Sequence, residues 1–332
     1  MGEDLGRGAQ HMKLGITLWG FSLGYREAVD LAPRVEEAGF QNLFMVESPL
    51  GNDGVTTVAM MAARTSRLLL GTNIANVYVR HARMLGNAAV AIDEVAPERL
   101  ILGLGPNNRT MMTQAGFDWR DPREVLRETT AALRAVFAGR PGPAHRTPRP
   151  ASHVIPIHWA GMALETCAAA GAHADGLMLY LNTPARYRRA VDRFRRAATE
   201  AGRDPTHLPV SLLIPTFIHE HLPTARQAAR EFLVQYARWP HYAKTFAASG
   251  YAREMAQIAS AYTAGDLASA MSALSDAFLD EVLLLGPPSR IREGIARLAE
   301  AGVEWITLGP QAVAPESLAQ QAERMTATLA PR

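Results

Sequence analysis

Short, almost wholly apolar runs recur along this chain, and each is followed by a longer segment with helical spacing. The runs are LGITLW (14–19), NLFMVE (42–47), LLLGTNI (68–74), LILGLG (100–105), IHWAG (157–161), GLMLYL (176–181), PVSLLIPTFI (209–218) and a last one at 305–308. The spacing predicts helices over 25–38, 55–64, 84–95, 122–138, 163–172, 185–201, 289–301 and 315–328. Strands with no polar alternation belong in a parallel sheet buried on both faces. Eight such strands alternating with helices point to a single α/β domain, a (β/α)8 TIM barrel; an open doubly wound sheet is the alternative. Residues 224–280 carry helical spacing but no clear strand, and read as a helical insertion at one barrel end. A short apolar run, EVLLLG, follows it. The Pro-rich stretch 140–156 reads as a linker between barrel halves, because the same rhythm resumes beyond it.

The balance of residues fits that picture. Of 332 residues, 48% are hydrophobic, enough for one large core, and the net charge is only +2. No clustered basic stripe marks a nucleic-acid binder. The densest positive patch, the arginines at 186–196, reads as a solvated helix face. The single cysteine, Cys167, lies in the small-residue run ETCAAAGAHA and reads as a packed core thiol. With no internal disulfide available, no signal-peptide pattern and no apolar run of ~20 residues, a cytoplasmic protein is expected, without membrane association. Residues 1–11 are polar and Gly-rich and are expected to be a tag or disordered extension, leaving 12–332 as the barrel. No metal site is expected.

Barrel chemistry sits at the C-terminal ends of the strands. The third strand ends in GTNIANVYVRH (71–81), the fourth in LGLGPNN (102–108), and the fifth runs into AGMALETCAAAGAHADGLML (160–179). In AGMALE a strand ends, a glycine permits close approach and a helix begins. The backbone N–H groups of Gly161, Met162 and Ala163 are therefore expected to form a phosphate site at a helix N-terminus. His81 reads as a structural histidine and His158 as a core one. Arg80 is expected either to face an anionic tail or to pair with a helix carboxylate. Asp93 and Glu94 are expected to pair with Arg99.

The ordered series NVYVRH, IDEVAPERLILGLG, GMALETCAAAGAHADG and GPPSRI resembles the luciferase-like monooxygenase superfamily. Within it the series is most similar to the branch of oxidoreductases dependent on the deazaflavin coenzyme F420, which includes methylenetetrahydromethanopterin reductase. The resemblance covers almost the whole chain from Met12. It implies a non-proline cis peptide at Asn73-Ile74, forming a bulge with Ala75 beneath a bent cofactor ring. It also implies that Asn107 and the loop Ala160, Gly161, Met162 and Ala163 contact the cofactor. F420 is favoured over FMN as that cofactor, and a homodimer is expected.

The chain departs from the family pattern where acid–base chemistry would sit. The second strand ends in Glu47-Ser48-Pro49, with no histidine after the acid, and the fourth ends in Asn107-Asn108. Asparagine hydrogen-bonds but cannot shuttle a proton at neutral pH. Glu47 and Asn108 are the catalytic candidates. Trp19, Glu47, Tyr78 and Trp159 are the candidates for substrate contact. This mouth favours hydride delivery to an unsaturated C=C or C=N bond of a small molecule over alcohol oxidation. An FMN-dependent monooxygenase served by a separate flavin reductase and a non-catalytic barrel subunit are the other readings.

Overall fold

The computed structural model describes residues 12–19, 23–49, 51–142 and 148–331. The expected extension at 1–11 lies outside them. Nine parallel strands form one sheet: β1 (Lys13–Leu18), β2 (Asn42–Met45), β3 (Leu69–Asn76), β4 (Leu100–Gly105), β5 (Ile157–Ala160), β6 (Gly176–Tyr180), β7 (Val210–Ile218), β8 (Leu284–Gly286) and β9 (Trp305–Pro310). β1 to β7 pair in sequence order, β7 pairs with β9, and β9 returns to β1, closing an eight-strand barrel. The short run EVLLLG supplies β8, which pairs only with the last residues of β7, Thr216 to Ile218. The TIM-barrel expectation holds, and the open sheet is ruled out by the β1–β9 and β6–β7 pairings.

Two-residue alternation sorts each strand between two environments. On β4, Leu100, Leu102 and Leu104 face the helices, while Ile101, Gly103 and Gly105 turn inward. On β9, Ile306 and Leu308 face outward and Trp305 inward. The outward residues join one large core with the surrounding helices. The inward apolar set is small: Phe44, Ile101, Met178 and Trp305, with His158 beside Trp305. Glycines make this interior fit. A Cβ on Gly103 would sit 2.6 Å from the Met178 sulfur and 2.1 Å from the Thr72 carbonyl oxygen.

The stretch 224–280 is helical, as expected, but not continuous. It divides into helices Leu222–Ala237, Pro240–Phe246, Ala252–Thr263, Leu267–Ser272 and Asp276–Val282. These build a second core of their own, around Phe246, Ile258 and Phe278, which meets the barrel at Phe217 and Leu285 near the ends of β7 and β8. Among the described residues no helix is long and apolar enough to cross a membrane.

The expected pairing of Asp93 and Glu94 with Arg99 is not formed. Arg99 instead donates to the carbonyl oxygens of Ala62, Thr65 and Leu68, around the end of helix Gly54–Ala62, where carbonyls lack helical partners. Asp93 accepts the N–H groups of Ser152 and His153, and Glu94 pairs with Arg149 at 2.6 Å.

His158 is inside the barrel, edge-on to Trp305 at 6.2 Å, and its ring would touch a Cβ placed on Gly176. Its Nδ1 is enclosed without a hydrogen-bond partner. Burial holds its pKa down, from 6.5 to about 4. A histidine held neutral stabilises the fold above its unfolded pKa, and that contribution is lost as pH falls from 6.5 towards 4. The shift corresponds to about 3 kcal/mol. His158→Leu is therefore expected to flatten the acid limb of stability between pH 6.5 and 4, read by urea denaturation across that range. An unchanged acid limb would contradict the assignment.

Candidate functional site

A cavity of about 880 Å³ opens at the C-terminal end of the barrel, between the strand ends and the inserted helices. That volume suits a cofactor with a substrate beside it. Part of its wall comes from residues that alternation turns inward at or near strand ends: Gly105, Ala160, Met178, Tyr180 and, just past β1, Trp19.

β3 breaks this alternation. Its pairing with β4 slips between Thr72 and Ala75, and the peptide bond Asn73-Ile74 is cis. The slip lets two consecutive residues, Asn73 and Ile74, both line the cavity. Ala75 then returns to the outer core. The Asn73 Nδ2 is buried without a hydrogen-bond partner. A Cβ on Gly105 would lie 2.8 Å from the Ile74 side chain, so glycine there lets Ile74 stand in the cavity floor.

Glu47 is buried and already engaged. Its Oε2 accepts from Arg80 Nε at 2.8 Å and its Oε1 from the Asn76 N–H at 3.1 Å. Arg80 also reaches Asp53 at 2.5 Å, and Asp53 caps helix Gly54–Ala62 through the Thr56 N–H. Of the two fates expected for Arg80, the carboxylate pairing is the one formed. Burial pushes the Glu47 carboxyl up, while Arg80 and the Asn76 N–H pull it back. Asn107 adopts a left-handed backbone, φ 60°, and its Oδ1 accepts the Asn108 N–H. Asn108 Oδ1 in turn caps helix Arg109–Gln114 through the N–H groups of Thr110 and Met111. Both asparagines line the cavity, but their side-chain oxygens are occupied in shaping its rim.

At the end of β5, helix Leu164–His173 starts from Ala163 with no side-chain cap. Of the three expected donors, one is engaged elsewhere. The Gly161 N–H is directed to the Met178 carbonyl, and the first amides of the helix, from Leu164, carry no side-chain cap. Gly161 still matters for space, since a Cβ there would meet the Thr166 side chain at 2.7 Å. Beside this terminus stands Arg186, which is 7% exposed. Its guanidinium donates to the Met162 carbonyl at 2.7 Å, its Nε is buried without a partner, and among the described residues no carboxylate forms a salt bridge with it, although Glu165 is close enough to act on it electrostatically. The arginines 188, 189, 193 and 196 are exposed as expected, but Arg186 is not part of that solvated face. The helix caps at Thr183, and this turns the first helical turn, with Arg186, onto the loop after β5. Cys167 is a buried core thiol, its pKa pushed up to about 12 by burial.

Three expected contacts are not made. Trp159 turns outward between His158 and Ala160, and its Nε1 donates to Thr130 Oγ1 at 2.8 Å. Tyr78 stacks behind Trp119 at 4.9 Å and donates its hydroxyl to the Arg120 carbonyl, so Trp119 and not Tyr78 faces the cavity. Ala75 is displaced by the slip in β3. Trp19, Glu47, Asn73, Ile74, Asn107, Asn108 and the loop 160–163 do come together around the cavity. Sequence reasoning missed Arg186, concealed in an arginine-rich run, and Tyr180, whose only signal is its inward position at the end of β6.

Removing Arg80 would leave the Glu47 charge buried without its partner, at an expected cost of about 2 kcal/mol after allowing for partial exposure of the arginine. A carboxyl whose folded pKa is raised favours the fold below its unfolded pKa and loses that contribution as pH rises through the folded value. Arg80→Ala removes one lowering influence. Its loss of stability, measured by thermal melting, should be larger at pH 8 than at pH 5.

The pattern of the luciferase-like monooxygenase family matches residues 8–304. The 5,10-methylenetetrahydromethanopterin reductase of Methanolobus tindarius is 26% identical over 292 residues, 84% of this chain and 88% of that protein. Among solved structures, the coenzyme F420 dependent tetrahydromethanopterin reductase from Methanopyrus kandleri superposes with a TM-score of 0.76 at 19% identity, covering 96% of this chain and 98% of the other. The FMN complex of the oxygenating constituent of 3,6-diketocamphane monooxygenase from Pseudomonas putida gives 0.69 at 17% identity, covering 96% and 98%. With its closed barrel, its slipped third strand and a family match across nearly its whole length, the chain belongs to the luciferase-like monooxygenase family.

Proposed function

We propose that this protein is a coenzyme F420-dependent oxidoreductase that passes a hydride between the deazaflavin and an unsaturated C=C or C=N bond of a small organic substrate. The observation that carries cofactor binding is the pairing of Arg186 with the uncapped helix N-terminus at Leu164. A buried guanidinium whose Nε has no partner, beside a helix start with no side-chain cap, suits an anion, and the phosphate of a flavin tail supplies one. At the ring end, Asn73 Nδ2 is a buried donor without a partner, suited to a ring carbonyl, and Ile74 offers an apolar surface. The residues present therefore fit a flavin-type group.

When bound, that group supplies two-electron hydride chemistry. The chain's part is to hold it and to keep water out. Arg186 and the amides of 164–166 would fix the phosphate. Met178 and Leu213 make an apolar floor beneath the cavity. Of the two lining carboxylates, Glu165 is exposed on the first helical turn and Glu47 is tied to Arg80. Glu47 thus positions the β2 and β3 ends and is not free to exchange protons. His241 also lines the cavity, but burial holds its pKa down to about 4, a weak base, so with Glu47 tied the mouth favours an already activated acceptor over an alcohol that needs a general base.

FMN is the second reading, favoured by the likeness to an FMN-bound monooxygenase and by the fact that the same anion pocket suits its phosphate. Titration with F420 and with FMN separates the two by affinity. Oxidation of reduced F420 by unsaturated acceptors without oxygen uptake is expected for the first, and oxygen uptake with reduced FMN for the second. Failure to bind either would overturn both. Arg186→Ala should weaken FMN by about 10- to 100-fold, the worth of a charged hydrogen bond, and leave riboflavin, which lacks the phosphate, unchanged. Equal loss for both ligands would remove Arg186 from the phosphate site.

A further inference from the structure

The half of the cavity that faces the inserted helices is walled by aromatic rings, and nothing in the proposed cofactor contacts uses them. Tyr180 ends β6. Trp19, just past β1, lies 6.1 Å from it, with its ring over Gly309, where a Cβ would fall 2.1 Å from the indole. From the insertion, Tyr236 meets Tyr180 edge-on at 5.6 Å and Tyr242 at 6.4 Å, and Tyr236 and Tyr242 meet each other at 5.1 Å. All four rings line the cavity.

This aromatic box is short of charge. Its four members carry none, and burial holds all three tyrosine hydroxyls above their ordinary pKa, so they stay protonated as donors. Lys244 and His241 of the inserted helices line the same cavity, but none of the four rings carries a charge, so a carboxylate or ammonium set among them would exchange its hydration for ring faces. A flat apolar ligand would instead meet ring faces and edges at ordinary stacking distances. One polar group is left waiting. The Tyr180 hydroxyl is enclosed; it points its proton towards the Tyr236 hydroxyl, but that contact falls outside good hydrogen-bond geometry and leaves the donor poorly satisfied. A buried hydroxyl without a partner is costly, and a ligand acceptor would relieve it.

We propose that this box is the substrate subsite, that it takes an uncharged planar aromatic or conjugated ketone, and that the Tyr180 hydroxyl donates a hydrogen bond to the ketone oxygen. The assignment rests on the proposed function in one respect only: the remainder of the cavity is taken to hold the flavin-type ring. Tyr180 orients the substrate, and the insertion contributes Tyr236 and Tyr242 as walls, so the helices at 222–246 set which ligand is admitted.

Three naphthalenes of nearly equal size test this by isothermal titration calorimetry on the full chain, with and without FMN or F420. They are 2-acetylnaphthalene, 2-ethylnaphthalene and 2-naphthoate. In the unaltered protein the ketone should bind tightest, the hydrocarbon about three- to tenfold more weakly for want of one hydrogen bond, and the carboxylate weakest. Tyr180→Phe keeps the ring and should erase the advantage of the ketone while leaving 2-ethylnaphthalene unchanged. Equal weakening of ketone and hydrocarbon in the variant would make Tyr180 a mere wall. Binding of naphthoate as tight as that of the ketone would overturn the uncharged class, and so would no binding of any of the three. The comparison within the unaltered protein stands even if the variant folds poorly. Ketone binding in a protein that binds neither flavin would sink the proposed function and leave the box intact.

Discussion

Everything at the mouth of this barrel depends on the alternation of side chains across a closed parallel sheet. Each strand sends one set of residues to the helices and the other to an interior with room for very few large groups. Phe44, Ile101, Met178, Trp305 and His158 fill much of that interior, and glycines such as Gly103 make room for them. Above this plug the inward positions have no further side chains to meet. They open into the cavity, where inward residues near the ends of β4, β5 and β6 become walls of the site.

The site then arises from departures from that regularity. The slip of β3 against β4 turns two neighbouring residues inward where alternation would allow one. Helix Leu164–His173 starts without a side-chain cap, and Arg186 brings a positive charge to that start from the next helix. Asn73 Nδ2, Arg186 Nε and the Tyr180 hydroxyl are buried without a full hydrogen-bond partner and belong to residues that line the cavity, whereas others of the kind, such as His158 Nδ1 and the Thr17 and Thr307 hydroxyls, belong to residues that do not. Buried polar groups are costly when unpaired, so three of them around one cavity point to ligands that complete them.

Legibility in the sequence followed distance along the chain. The apolar runs, the helical insertion and the loop at Gly161 were readable because their signals are local. The fate of Glu47 was not, since its partner Arg80 lies on another strand end and binds Asp53 as well. Trp159 was misplaced for a related reason. Composition marks a tryptophan at a strand end as a candidate wall, but the phase of a four-residue strand is set by its neighbours' registers, and those turn His158 and Ala160 inward. Tyr78 similarly lost its place to Trp119, which a distant loop folds in front of it.

The sequence by itself determined the strand–helix rhythm, the parallel sheet and the positions of the strand ends, because burial on both faces and helix periodicity are written in neighbouring residues. Only the tertiary structure decided which side chains face the cavity and which of them are free. It bound Glu47 into a network, turned Asn107 and Asn108 into turn and cap, took Arg186 from the solvated face, and set Tyr180 against Tyr236 and Tyr242. The reason is physical: orientation and pairing depend on register, closure and packing between segments far apart in the chain, and none of these is fixed until the barrel has closed.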